Sequence, residues 1–309
     1  MIIVDNINKS FEGEKRIDSL SFHIPKGEIV GFIGANGAGK TTTIKMLMGI
    51  LKQDAGLIRV AGINPTRNRK ENLRNIGCVS GITTQLWKDM KLKDSYYLAK
   101  EMYKINKTDF ESSMEYLNEK LDLNEILEFP VNKLSLGQRM RAEVAYSLLH
   151  NPKVLYLDEA TIGLDVVNRE KVLNIIKDVN KEKQTTILFA SNNLSDIEKT
   201  CKRIIVIDKG KKVYEGDIAR IKKHYASVYQ LKVKIENGKI PDFQDLPIKR
   251  YKLEEDNVIV YYENNNINAS TILKHIIKQC FVSEIKIIEP SLESVIRNIY
   301  EGVEWWTKA

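Results

Sequence analysis

The run Gly34-Ala35-Asn36-Gly37-Ala38-Gly39-Lys40-Thr41, continued by Thr42 and Thr43, has the residue types and spacing of a phosphate cradle. Its glycines permit the tight turn that aims consecutive backbone N–H groups at phosphate oxygens. Lys40 can neutralise the outer phosphates, and the Thr41 hydroxyl can ligate magnesium. A second reactive group is Asp158-Glu159, adjacent carboxylates that end the apolar run Val154-Leu155-Tyr156-Leu157. At the end of a buried strand such a pair is costly unless a cation or ordered water uses it. Asp158 can hold magnesium through its water shell, and Glu159 can polarise an attacking water. These residues predict that the chain binds a nucleoside triphosphate.

Positioning them requires an open α/β sheet. Glu28 to Ile33 reads as a short buried strand, and Thr41 to Leu51 as a helix with Ile44, Leu47, Met48 and Leu51 on one face. That helix presents its N-terminus to the anion. Val154 to Leu157 is apolar throughout, as expected of a parallel strand covered on both sides, whose C-terminal end faces the nucleotide. Short strands are expected at residues 2–4 and 20–24, at Ala55 to Gly62 and at Ile76 to Ser80. Phe11, between the first two, is either a purine-stacking aromatic or a half-buried hairpin residue. From Trp87 to His150 the apolar spacing turns helical, over Ser95 to Tyr103, Asp109 to Leu121 and Gly137 to His150. This region, about 87–150, reads as a helical insertion in the sheet. Within it Ser135 and Gln138 form a capping box, and with the small Gly137 they make a second potential phosphate site.

Further on, Gly163-Leu164-Asp165 reads as a turn before a helix. Thr185 to Ala190 and Arg203 to Asp208 read as buried strands, and Lys211 to Glu215 as the return arm of a hairpin. Near Ala226 the composition shifts. Leu231, Val233 and Ile235 alternate with lysines, a linker spans residues 236–241, and a strand follows at Asn257 to Tyr262. A helix at Ser270 to Cys280, a strand at Glu284 to Ile288 and a last helix bearing Leu292, Val295, Ile296 and Ile299 complete the chain. Residues 226–309 therefore read as a small α+β domain that regulates or docks, with no catalytic constellation.

Composition narrows the setting. The 309 residues carry 48 Lys and Arg against 41 Asp and Glu, a net charge of +7. The lysines are spread along the chain without a zinc-finger or RNA-binding pattern, so a solvated basic surface, with some attraction to acidic membranes, is expected rather than nucleic-acid binding. No apolar run approaches the roughly 20 residues that span a bilayer, and the N-terminus lacks the build of a signal peptide. Cys78, Cys201 and Cys280 are scattered, as expected of reduced thiols in a cytosolic protein.

Taken in order, these motifs resemble the ATP-binding cassette (ABC) family over residues 1–225. The phosphate loop is similar to its Walker A, and Leu134 to Gln138 resembles its signature Leu-Ser-Gly-Gly-Gln, with Leu136 in place of the first glycine. Val154 to Glu159 is similar to its Walker B with catalytic glutamate, and Gly163 to Asp165 to its D-loop. The C-terminal domain and the run Leu134 to Arg141 resemble bacterial exporter ATPases that pair with a separate permease. The resemblance implies a P-loop NTPase core with a helical subdomain, using ATP and Mg2+. It further implies a head-to-tail dimer with a second ATP-binding subunit. Each ATP would touch the loop of one subunit and Ser135, Gly137 and Gln138 of the other, with Phe11 stacking on adenine.

Three positions depart from the family pattern. A magnesium-reaching glutamine is expected at 81 or 82, where the chain has Gly81 and Ile82, and Gln85 is the nearest candidate. Ala160 replaces a proline after the catalytic glutamate. Asn192 stands where the switch histidine is expected, and its amide can donate to the γ-phosphate without a positive charge. Losing a preorganised donor costs about 2.7–4 kcal/mol, and a partial replacement less. The expectation is a hydrolysing exporter subunit at the cytoplasmic face of the membrane. The alternative is a nucleotide-gated subunit that hydrolyses little beside a complete partner. A soluble relative acting on ribosomes or DNA is disfavoured, since the chain has one phosphate loop and no sustained heptads.

Overall fold

The computed structural model describes residues 1–81, 83–225, 228–236 and 240–300. Ile82, Ala226 and the middle of the expected 236–241 linker lie outside the described residues. The chain divides into two compact units, Met1–Gly216 and the part from Asp217 onward.

In the first unit, β1 (Ile2–Phe11) and β2 (Glu14–Ile24) form a long antiparallel hairpin. After β3 (Ile29–Gly34) and α1 (Lys40–Leu47), β4 (Ala55–Val60) pairs with the other side of β1. The expected short strands at 2–4 and 20–24 are thus the arms of a separate sheet, bent by irregular register and by Asn6 and Ser19 in left-handed conformations. Next come α2 (Arg69–Asn75) and β5 (Ile76–Ser80), then the helical insertion of α3 (Leu92–Tyr103), α4 (Lys107–Leu121) and α5 (Leu136–Leu148). The chain returns through β6 (Val154–Asp158), α6 (Val166–Lys183), β7 (Thr186–Ala190), α7 (Leu194–Thr200), β8 (Arg203–Asp208) and β9 (Lys211–Asp217).

The second sheet has the order β5-β6-β7-β3-β8-β9 and is parallel from β5 to β8. Every residue of β6 and β7 is buried, which explains their unbroken apolar runs. The parallel register places Asp158 beside Ala190, and Ala190 beside Phe32 two residues before Gly34. Three chemically important strand ends therefore meet on one edge of the sheet.

Two local differences from the periodicity have clear causes. The helix α1 stops at Leu47 rather than Leu51, because Gly49 turns left-handed against Pro65, whose carbonyl oxygen lies 2.2 Å from where a Cβ would sit. The basic stretch before β5 contains α2, held by buried Asn72, which donates to the Leu47 carbonyl at 3.2 Å. Pairing with a remote helix end, not local spacing, organises it.

The second unit opens with α8 (Ile218–Tyr225), so the division falls ahead of the composition shift. Strands β10 (Tyr229–Glu236), β11 (Arg250–Glu254) and β12 (Asn257–Tyr262), helix α9 (Ala269–Ile277), strand β13 (Phe281–Ile288) and helix α10 (Leu292–Tyr300) follow. The antiparallel sheet has the order β11-β12-β10-β13, and α10 contacts α8. Leu231, Val233, Val258, Val260 and Tyr262 pack with Ile272 and Ile276 of α9 and with Phe243. The strand β11 was not read from sequence, because it is only five residues long and largely exposed, although Tyr251 and Leu253 alternate with charged neighbours.

Just beyond α5, His150 stacks on Tyr103 at 4.0 Å, and its Nε2 is 2.9 Å from the Ile76 carbonyl. Burial pushes its pKa down to about 4, opposed by the Ile76 hydrogen bond. The neutral ring is native, so acidification from about pH 6.5 toward 4 protonates the unfolded chain first and erodes stability, by up to about 3 kcal/mol. Urea unfolding against pH should show this slope, and His150→Gln should flatten it.

Candidate functional site

The phosphate loop is shaped before any ligand arrives. Gly37 and Gly39 hold positive φ of 83° and 109°, conformations that side chains resist. The Ala38 N–H donates to the Ala35 carbonyl at 3.0 Å, and the Gly210 N–H, from the β8–β9 turn, donates to the Ala38 carbonyl at 3.0 Å. Arg16 Nη1 reaches the Gly37 carbonyl at 3.4 Å. Gly34, Ala35, Asn36, Gly37, Ala38 and Gly39 thus form a braced turn leading into α1, whose first residues are Lys40, Thr41 and Thr42.

Lys40 is buried, and its ammonium donates to the Gly34 carbonyl, to the Ala35 carbonyl at 3.4 Å and to Asn192 Oδ1 at 3.1 Å. Burial lowers its pKa, while the nearby Glu159 and Asp158 charges raise it and sustain the ammonium. Thr41 Oγ1 donates to Asp158 Oδ2 at 2.8 Å. Two hard oxygens from α1 and from the end of β6 therefore lie side by side, which suits a hard divalent cation that keeps much of its water. The donor set fits magnesium.

Glu159, directly after β6, has φ of 58°, a strained conformation for a residue with a Cβ. Its N–H is tied to the Ala190 carbonyl at 2.9 Å, so the parallel pairing of β6 with β7 holds the turn. Oε2 accepts the Asn192 N–H at 3.2 Å, whereas Oε1 is buried without a partner among the described residues. Burial raises the Glu159 pKa, the Asn192 N–H and Lys40 lower it, and Asp158 raises it. An unpaired, proton-seeking carboxylate oxygen is the group that orients a nucleophilic water.

Asn192 connects all of these. Besides Lys40 and Glu159 it reaches Asn36, with Nδ2 donating to Asn36 Oδ1 at 3.1 Å. Asn192, the second residue past β7, thereby ties the phosphate loop to the carboxylate edge.

Gln85 is not brought to this pair. Its side-chain amide donates to the Cys78 carbonyl, and its backbone N–H reaches Glu143 Oε1 at 3.1 Å. Nor can a glutamine occupy position 81 in this backbone, since a Cβ on Gly81 would lie 2.3 Å from the Glu159 carbonyl oxygen. The Gly81 N–H instead donates to the Asp158 carbonyl at 2.8 Å, bracing the carboxylate turn from the β5 side.

Ser135 caps α5 as expected. Its Oγ accepts the Gln138 N–H at 3.2 Å, and Gln138 Oε1 accepts the Ser135 N–H at 2.9 Å. Gly137 abuts Asn168, whose Nδ2 would lie 2.6 Å from an added Cβ. Among the described residues no hydrogen bond joins this cap to the phosphate loop of the same chain. Phe11 lies exposed at the tip of the β1–β2 hairpin, with Lys9 Nζ 5.4 Å from its ring centroid.

Glu143 was missed by the sequence reading. It is a buried carboxylate on α5 that accepts from the Thr84 hydroxyl and from the Gln85 N–H, binding residues 84–85 to the helix that Ser135 caps. Burial raises its pKa, and these donors oppose the rise. A lone acid between Ala142 and Val144 was the available signal.

A P-loop ATPase core with an inserted helical subdomain is the class that this fold and site define. The ABC transporter family model matches residues 17–162. The chain is 29% identical over 303 residues to the bacitracin transport ATP-binding protein BcrA of Bacillus licheniformis, covering 98% of each protein. It is 30% identical over 224 residues to the methionine import ATP-binding protein MetN of Clostridium acetobutylicum, covering 72% of this chain and 70% of that one. Among solved structures, the dimeric post-hydrolysis ATP-binding cassette MJ0796 bound to ADP and Pi superposes with a TM-score of 0.63. It is 22% identical and covers 71% of this chain and 99% of that one, which shows the shared fold. The chain belongs to the ABC transporter ATP-binding family, and it is an ATP-binding subunit of a transporter.

Replacing Glu143 with alanine removes the acceptor of the Thr84 hydroxyl and the Gln85 N–H in a partly buried site. Urea titration of Glu143→Ala should show a loss of about 1–3 kcal/mol.

Proposed function

We propose that this chain hydrolyses ATP as one of two cassette subunits that drive a separate transmembrane permease, in the direction of export. The observation that carries the reading is the hydrogen-bonded set of Lys40, Thr41, Asp158, Glu159 and Asn192, drawn from three separate strand ends. In this reading the loop amides and Lys40 hold the β- and γ-phosphates and offset the charge that develops on them. Thr41 and Asp158 would hold magnesium, which would supply further neutralisation of phosphate charge. Glu159 orients a water for attack on the γ-phosphate and takes up its proton at Oε1. Asn192 offers an amide donor on the same side, and Phe11 offers its free face to adenine.

Dimerisation completes the site. Leu136 beside the cap, Ile162 in the turn after Glu159, and Val166 and Val167 at the start of α6 are exposed apolar residues. Clustering of this kind marks an interaction face. A second cassette docked there brings Ser135, Gly137 and Gln138 to the γ-phosphate bound by its partner. Closure on ATP and opening after hydrolysis are the two states that move the permease. We assign residues 1–225 to the ATP-binding domain and 226–309 to an accessory domain. Among the described residues no helix is long and apolar enough to cross a membrane. In this reading the chain acts through the permease from the cytoplasmic face. Export is favoured over import because the match to BcrA runs through the accessory domain, whereas that to MetN covers 72% of the chain.

The alternative, a subunit gated by ATP that hydrolyses little, is favoured by Asn192 and by the missing magnesium-reaching glutamine. The two are separated by phosphate release from the purified protein. Glu159→Gln should lower turnover about a hundredfold or more and accumulate an ATP-bound dimer, and unchanged turnover would overturn the assignment. Asn192→His should raise turnover at least about tenfold, since a charged donor then faces the γ-phosphate.

A further inference from the structure

Strand β13 forms an edge of the second unit's sheet, paired with β10 alone among the described residues. Natural edge strands are commonly short, interrupted by proline or covered, because free N–H and C=O groups recruit other strands. This strand runs eight residues without proline; past a register shift that sets Val282 against the core, it is regular from Glu284 onward and leaves Ile285 and Ile287 exposed at 46% and 54%. Its register sets Ile285 beside Val233 and Ile287 beside Leu231, both fully buried in the core beneath α9. The apolar face thus continues past its cover to the open edge. On the other face Glu284 and Lys286 alternate. Lys286 lies opposite Lys232, a like-charge pairing that opposes the sheet, and it has no ion pair among the described residues.

We propose that β13 pairs antiparallel with β13 of a second copy of this chain, about a twofold axis at Ile285, merging two four-stranded sheets into one of eight. The charges select that axis. Centred on Ile285, each Glu284 faces the Lys286 of the other copy and the two Ile285 side chains meet, while Ser283, at the register shift of β13, lies outside the regular pairing. Centred on Glu284 or on Lys286, like charges oppose each other instead. The pairing is isologous, as a twofold interface must be, and it supplies each Lys286 with the counter-charge it lacks. It uses no residue of the nucleotide site, so it holds the two copies together without ATP.

The test is sedimentation equilibrium of the full chain, free of nucleotide and magnesium. The unaltered protein should be dimeric. Glu284→Lys and Lys286→Glu should each weaken the dimer about tenfold or more, and combining them should restore it to within about threefold. Mild oxidation of Ile285→Cys should yield a disulfide-linked dimer, which Ser283→Cys, displaced from its own mate, should not. These surface positions leave the core intact, and unchanged ATP binding verifies folding of each variant. A nucleotide-free monomer, single reversals without effect, or a double reversal that fails to restore the dimer would each overturn the proposal. None of these outcomes depends on Glu159 or Ser135, so they stand apart from the ATP-bound dimer described above.

Discussion

Lys40 Nζ sits buried among the Gly34 and Ala35 carbonyls and the Asn192 amide oxygen, with its charge sustained by Asp158 and Glu159. A buried ammonium without such partners would release its proton. The two carboxylates in turn depend on the cation, since adjacent acids at the end of a buried strand repel each other and lose hydration. The site is therefore a mutually stabilised charge cluster. Its members come from α1 and from the ends of β6 and β7, and the parallel register keeps those elements in place.

The register matters more than any single contact. Pairing β3, β7 and β6 in parallel sets Phe32, Ala190 and Asp158 level, and the residues that follow each strand become the loop, Asn192 and Glu159. A slip by one residue would turn every side chain of the slipped strand to the opposite face of the sheet and separate the cluster. The strained backbone at Glu159 persists because Ala190 and Gly81 hold the turn from both sides. That packing is also why the expected glutamine has no room at 81, and why the segment beyond it is anchored by Glu143 on α5.

Much was legible in the sequence. The phosphate loop, the capping box at Ser135 and the strand ending in Asp158 are local patterns whose spacing specifies backbone geometry, and the structure shows the geometry that each spacing implies. Less legible were elements defined by remote partners. The arms of the β1–β2 hairpin extend well beyond their apolar cores because they pair with each other, with β4 along the other side of β1. The strand β11 exists because β12 offers it an edge. The small helix α2 is held by one buried asparagine. At most a short trace marks them, as in the alternation of Tyr251 and Leu253 with charged residues in β11, since what stabilises each lies elsewhere in the chain.

By itself the sequence set the expectation of a triphosphate-binding loop, of the residues that would line it, and of a second domain. Side-chain chemistry and short-range spacing suffice for those expectations. Only the tertiary structure decided that Thr41 lies 2.8 Å from Asp158 across 117 residues, and that Asn192 bridges Lys40 and Glu159 across 152 and 33 residues. It likewise placed Gln85 on the Cys78 carbonyl rather than at the metal pair, and brought Glu143 to bind that segment. The reason is physical. Local pattern sets dihedral angles and buried faces, whereas the distance between remote side chains follows from sheet order and register, which arise only when all the strands pack together.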